Sequence, residues 1–143
     1  MLRLNGYQFF APGADSGCAI IDRSSVVLVV DDDETVRSYI KAVLERVGFR
    51  VFEAIDGLAG LAAWHNLAGA VELVITDIRM PRMRGDELAT RIKSESPAMP
   101  VIFVSAEPGE GKFHDPARRI YFLEKPFRAD EIVYAAQRVL MAR

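Results

Sequence analysis

Residues 26–30 read Val-Val-Leu-Val-Val, five apolar side chains in a row and four of them β-branched. A strand with one wet face alternates polar and apolar; an unbroken run requires burial on both faces. Such a strand belongs inside a sheet covered on either side. Similar runs recur at 71–76, 101–104 and 120–123, with a shorter, weaker one at 50–54. Between them the period changes to that of a helix. Val36, Ile40, Val43, Leu44 and Val47 share one helical face, and Gly48 stops it. After the Asp56-Gly57 turn, Leu58, Leu61, Ala62 and Leu67 predict a second helix. Gly85 to about Ser94 predicts a third with Leu88 and Ile92 inward, and Ala129 to Met141 a closing one with Ile132, Ala136, Val139 and Leu140 on its apolar face. Strand then helix, repeated about five times, defines a doubly wound α/β fold: a five-stranded parallel sheet with helices on both faces.

One interval breaks the alternation. Between Ser105 and Phe122 the chain should hold a fourth helix, yet Pro108, Gly109, Gly111 and Pro116 interrupt it and apolar periodicity is absent. Asp115 as N-cap with Pro116 at the first helical position is the best local signal, with room for about one or two turns. The fourth helix is therefore expected to be short or irregular, and the segment mobile. Residues 1–24 show no sustained period and are read as a flexible extension; the domain is 25–143.

Half the residues are apolar and 27% are charged, which excludes disorder throughout. A formal charge of −2 excludes a globally basic nucleic-acid binder. No apolar run approaches the ~20 residues of a membrane helix, and the N-terminus lacks the clean apolar centre of a signal peptide. A single cysteine, Cys18, excludes an internal disulfide and suits a reducing, cytoplasmic setting. His65 and His114 have no ligand spacing around them and read as surface residues. Gly109 to Lys112 vaguely suggests a phosphate-binding loop, but Ala106 and Phe113 stand where that pattern requires Gly and Ser or Thr.

In parallel folds, ligands gather at the carboxyl ends of the strands, near the point where strand order reverses. Asp31, Asp32 and Asp33 follow the first strand, Asp77 the third, Ser105 the fourth, and Glu124, Lys125 and Pro126 the fifth. Clustered carboxylates repel one another, and a hard divalent cation such as Mg²⁺ relieves this. Carboxylates, metal, hydroxyl and ammonium together suit a phosphoryl group, with one carboxylate as nucleophile. Standing alone, the Asp triplet would read as a helix cap with first-turn acids; Asp33 is assigned that role.

Four segments, VLVVDDDETVR at 27–37, LVITDIRMPRMRG at 73–85, VIFVSAE at 101–107 and YFLEKPF at 121–127, resemble a response-regulator receiver domain over roughly 25–143. The resemblance implies a flavodoxin-like sheet of order 2-1-3-4-5, and a switch that takes a phosphoryl group from a histidine kinase or histidine phosphotransfer protein. It implies Asp77 as phosphoryl acceptor and Asp31 and Asp32, with Asp77 and the backbone carbonyl of Arg79, as Mg²⁺ ligands. Ser105 matches the switch hydroxyl, Lys125 the lysine before a cis proline (Pro126), and Phe122 the switch aromatic. Such a switch acts without being an enzyme in the ordinary sense, through an unknown downstream protein, with no nucleic acid bound by this domain and no membrane insertion.

Further expectations follow from particular residues of this sequence. The irregular fourth helix should weaken the family's common dimer, leaving a weak homodimer or none. Arg79 and Glu107, two residues beyond acceptor and switch hydroxyl, are oppositely charged; either they bridge across the mouth of the site and slow hydrolysis, or they are two solvated side chains that never meet. Arg84 stands where the family often has Asp. With little beyond the last helix, the chain reads as a single-domain regulator or a receiver cut from a longer protein. The rival readings are a pseudo-receiver that binds partners without phosphorylation, and an aspartyl phosphohydrolase, which would need an acid where Arg79 stands.

Overall fold

A computed structural model describes residues 2–4, 7–9, 25–107 and 109–141. Five strands, β1 (Val26–Val30), β2 (Arg50–Ala54), β3 (Val71–Asp77), β4 (Val101–Ser105) and β5 (Ile120–Glu124), form one parallel sheet. Their order is β2-β1-β3-β4-β5, as the resemblance implies. Among the described residues four helices accompany them: α1 (Glu34–Arg46), α2 (Gly57–Asn66), α3 (Gly85–Glu95) and α4 (Ala129–Met141). Leu2–Leu4 and Tyr7–Phe9 pair as a separate antiparallel ribbon. The rest of the extension lies outside the described residues.

Successive strand residues point to opposite faces, so the continuous apolar runs build two cores. Val27, Val29, Ile75, Ile102 and Val104 pack with Ile40 and Leu44 of α1 and Ile132 and Ala136 of α4. Leu28, Val30, Val74, Val101 and Phe103 pack with Trp64 of α2 and Leu88 and Ile92 of α3. β1 has β2 on one side and β3 on the other, which places the reversal of strand order at the ends of β1 and β3.

Local chemistry sets the helix ends. The Asp33 carboxylate accepts from the Thr35 and Val36 N–H groups and caps α1. Gly48, just past its end, takes φ 104°, a left-handed conformation natural to glycine.

Two elements depart from simple periodicity. Leu58 and Ala62, expected inward on α2, face solvent, and Leu58 is 49% exposed. The buried line is Gly57, Gly60 and Trp64. Trp64 buries its ring and donates its indole N–H to Glu95 of α3 at 3.3 Å. Between β4 and β5, the expected irregular helix is two 3₁₀ turns, Glu110–Phe113 and Pro116–Arg118. Asp115 and Pro116 open the second turn as expected, though Asp115 makes no side-chain cap bond.

Candidate functional site

The carboxyl ends of β1, β3, β4 and β5 converge. Asp31 is completely buried. Its Oδ1 accepts the Asp33 N–H at 2.8 Å, and its Oδ2 lies 3.1 Å from Lys125 Nζ. Asp77, whose side chain is 13% exposed, stands 3.3 Å from the same ammonium through Oδ2. Its Oδ1 accepts the Ile78 N–H at 2.7 Å. Asp32 is exposed at the rim. One carboxylate oxygen from each of Asp31, Asp32 and Asp77 lies within 4.8 Å of the others. The structure brings Asp31, Asp32, Asp77 and Lys125, four of the residues singled out in the sequence, together in one pocket. The Lys125–Pro126 bond is cis.

Electrostatics follow from this crowding. Burial pushes the Asp31 carboxyl above its usual range, against the pull of the Asp33 N–H and Lys125. Burial likewise raises Asp77, with Lys125 opposing. Burial alone would lower Lys125, but the charges of Asp31 and Asp77 together raise it. Two carboxylates sharing one ammonium retain an excess of negative charge, and the three oxygen donors suit a small hard cation such as Mg²⁺.

The loop after Asp77 is held closely. A Cβ on Gly85 would collide with the Asp77 carbonyl oxygen, so any larger residue would displace the backbone of Asp77. The Gly85 N–H donates to the Ile78 carbonyl at 2.8 Å. Arg82, at φ 71°, pairs through its guanidinium with Asp56, the N-cap of α2. Its Nε donates to Asp56 Oδ2 at 2.7 Å.

Ser105 follows Val104, which is in register with Asp77. It is buried, and its hydroxyl donates to Glu110 Oε1 at 2.7 Å while accepting the Glu107 N–H at 3.2 Å. The Arg79–Glu107 bridge is not formed. Arg79 Nε lies 3.5 Å from Glu110 Oε1, and Arg84 Nη2 lies 3.9 Å from Glu110 Oε2. The 3₁₀ turn brings Glu110 inward to 4% exposure, while Glu107 stays in solvent. Sequence reasoning missed Glu110: an acid in a Gly-rich polar loop carries no local sign of burial. Phe122 is half-buried on β5, and its N–H donates to His114 Nδ1 at 3.1 Å. His65 and His114 both lie on the surface as expected, His65 paired with Glu95 at 2.9 Å.

The family model for the response regulator receiver domain matches residues 27–137. Protein PilG of Pseudomonas aeruginosa is 35% identical over 118 residues, covering 76% of this chain and 82% of its own length. The sensor kinase CckA of Brucella abortus is 31% identical over 119 residues, which cover 82% of this chain but 13% of the kinase. A receiver domain protein from Clostridium thermocellum superposes with a TM-score of 0.75 at 27% identity, covering 81% of this chain and 94% of that one. With the parallel sheet, its strand order and the acidic pocket at its carboxyl edge, these matches define the class: the chain belongs to the response regulator receiver family. Like its relatives it is a two-component signalling module, and it spans only a small part of several of them, including 24% of the C4-dicarboxylate transport regulator DctD of Rhizobium meliloti. No helix among the described residues is long and apolar enough to cross a membrane.

Proposed function

We propose that this receiver accepts a phosphoryl group on Asp77 from a histidine kinase or histidine phosphotransfer protein in the cytoplasm, and thereby changes the surface it offers to a downstream protein. The observation that carries the reading is the position of Lys125 Nζ, 3.1 Å from Asp31 and 3.3 Å from Asp77. Asp77 attacks phosphorus through a carboxylate oxygen, and the bond to the donor's leaving group breaks. Lys125 neutralises charge on the transferred group, and the Ser105 hydroxyl donates to one of its oxygens. Asp31, Asp32, Asp77 and the Arg79 carbonyl would hold Mg²⁺, which when bound neutralises phosphoryl charge. Phosphorylation then biases two arrangements of Ser105 and Phe122, altering the β5 edge without changing the fold.

Acetyl phosphate with Mg²⁺ tests this by intact mass. The expected result is a transient gain of roughly 80 Da, the mass of one added phosphoryl group, absent in Asp77→Asn. No gain in the wild type would favour a constitutive interaction module, and steady donor turnover without a covalent gain would favour a phosphohydrolase.

A further inference from the structure

Glu110 is a carboxylate where burial is unfavourable. It is 4% exposed on a single 3₁₀ turn. A buried carboxylate persists only where partners offset its desolvation. Its partners are the Ser105 hydroxyl at 2.7 Å and the guanidinium groups of Arg79 at 3.5 Å and Arg84 at 3.9 Å. A hydroxyl carries one proton to donate. Ser105 cannot give it to Glu110 and to a phosphoryl oxygen on Asp77 at once.

We propose that Glu110 is an internal stand-in for the phosphoryl group. It holds the Ser105 proton while Asp77 is free, and it must release that proton when Asp77 is modified. The inference rests on Asp77 being the acceptor, and it makes Glu110 a positioning residue acting through Ser105. On release, Glu110 loses its shortest bond and is left near a new anion. The turn it anchors then shifts. That turn ends at Phe113, whose ring packs edge-on to Phe103 at 5.7 Å, and is followed by His114, which accepts the Phe122 N–H. Movement of Glu110 is thereby transmitted to the β5 edge. In this chain the 3₁₀ segment, lying where a longer helix would be expected, carries the signal.

The test is a double-variant cycle on the full chain, read as affinity for trifluoroberyllate in the presence of Mg²⁺, measured by calorimetry. Trifluoroberyllate adds to an aspartyl carboxylate as a phosphoryl analogue. Glu110→Ala is expected to tighten binding about tenfold, the size of one hydrogen bond to a charged acceptor. In a Ser105→Ala background the same change is expected to tighten it by no more than about twofold, because the competition for the proton is gone. Equal tightening in both backgrounds, or no tightening with Ser105 present, would overturn the stand-in and leave Asp77 as acceptor. Absence of binding by the folded wild type would overturn the Asp77 reading, and the stand-in with it. Should Glu110→Ala not fold, Glu110→Gln takes its place in the cycle. Its neutral amide is a weaker acceptor, so a smaller tightening with the same dependence on Ser105 is expected, and independence from Ser105 overturns the proposal.

Discussion

Asp77 and Asp31 must stay close together, partly or wholly out of water, and near Asp32, with a single ammonium between them. That excess of negative charge is what a divalent cation would satisfy, and Asp32 is its exposed member. Mg²⁺ at about a hundredfold excess over its Kd should stabilise the wild type by about 2.7 kcal/mol. It should stabilise Asp32→Ala far less, as read from the thermal midpoint with and without Mg²⁺. Equal stabilisation of both would remove Asp32 from the ligand set. Asp31, Asp32, Asp77 and Lys125 were legible because each lies at or just past the end of an apolar strand, and strand ends share one edge in a parallel sheet. Glu110 and the true partner of Arg79 were not. Their placement depends on how a Gly- and Pro-rich loop folds back, which leaves no periodic trace.

α2 is held at its start by one side chain with two duties. Asp56, 2% exposed, accepts the Ala59 N–H at 2.8 Å and pairs with Arg82 from the loop that follows Asp77. The Ala59 hydrogen bond first, and then Arg82, hold its carboxyl below the ordinary value of 3.8 despite burial. Asp56→Ala should cost about 0.5–2 kcal/mol at neutral pH, the range of a lost N-cap. A carboxylate with a depressed folded pKa contributes stability that is complete above its unfolded value and is lost as pH falls through the folded one. The difference between wild type and Asp56→Ala in urea unfolding should therefore shrink below pH 3.8. A difference that grows in acid would contradict the pairing. The same helix shows how far periodicity reaches. Its existence was plain from Leu58 and Leu61, but its inward face was set by Gly60, which sits against Val30 and Leu88, and by Trp64. Close approach and a single large ring outweighed the count of leucines.

The architecture was legible almost whole, because five buried runs alternating with helical periods leave few topologies open. The gap in that pattern was legible too, since Pro and Gly at 109, 111 and 116 cannot sustain a packed helix. Where a fourth helix would offer a firm surface beside β5 and α4, this chain has two 3₁₀ turns. Sedimentation velocity should accordingly find a monomer both without and with trifluoroberyllate and Mg²⁺. A dimer formed with the analogue would show that the β5–α4 face suffices without that helix. Both cores, the cap of α1, the close approach of Gly85 and the ammonium of Lys125 serve to present one carboxylate at the carboxyl edge of the sheet. The most direct measurement is to locate the phosphoryl group. After reaction with acetyl phosphate and Mg²⁺, borohydride reduces an aspartyl phosphate to homoserine, and peptide mass spectrometry then reads its position. Homoserine at position 77 is the predicted result; homoserine at 31 or 32, or at none of the three, would contradict it.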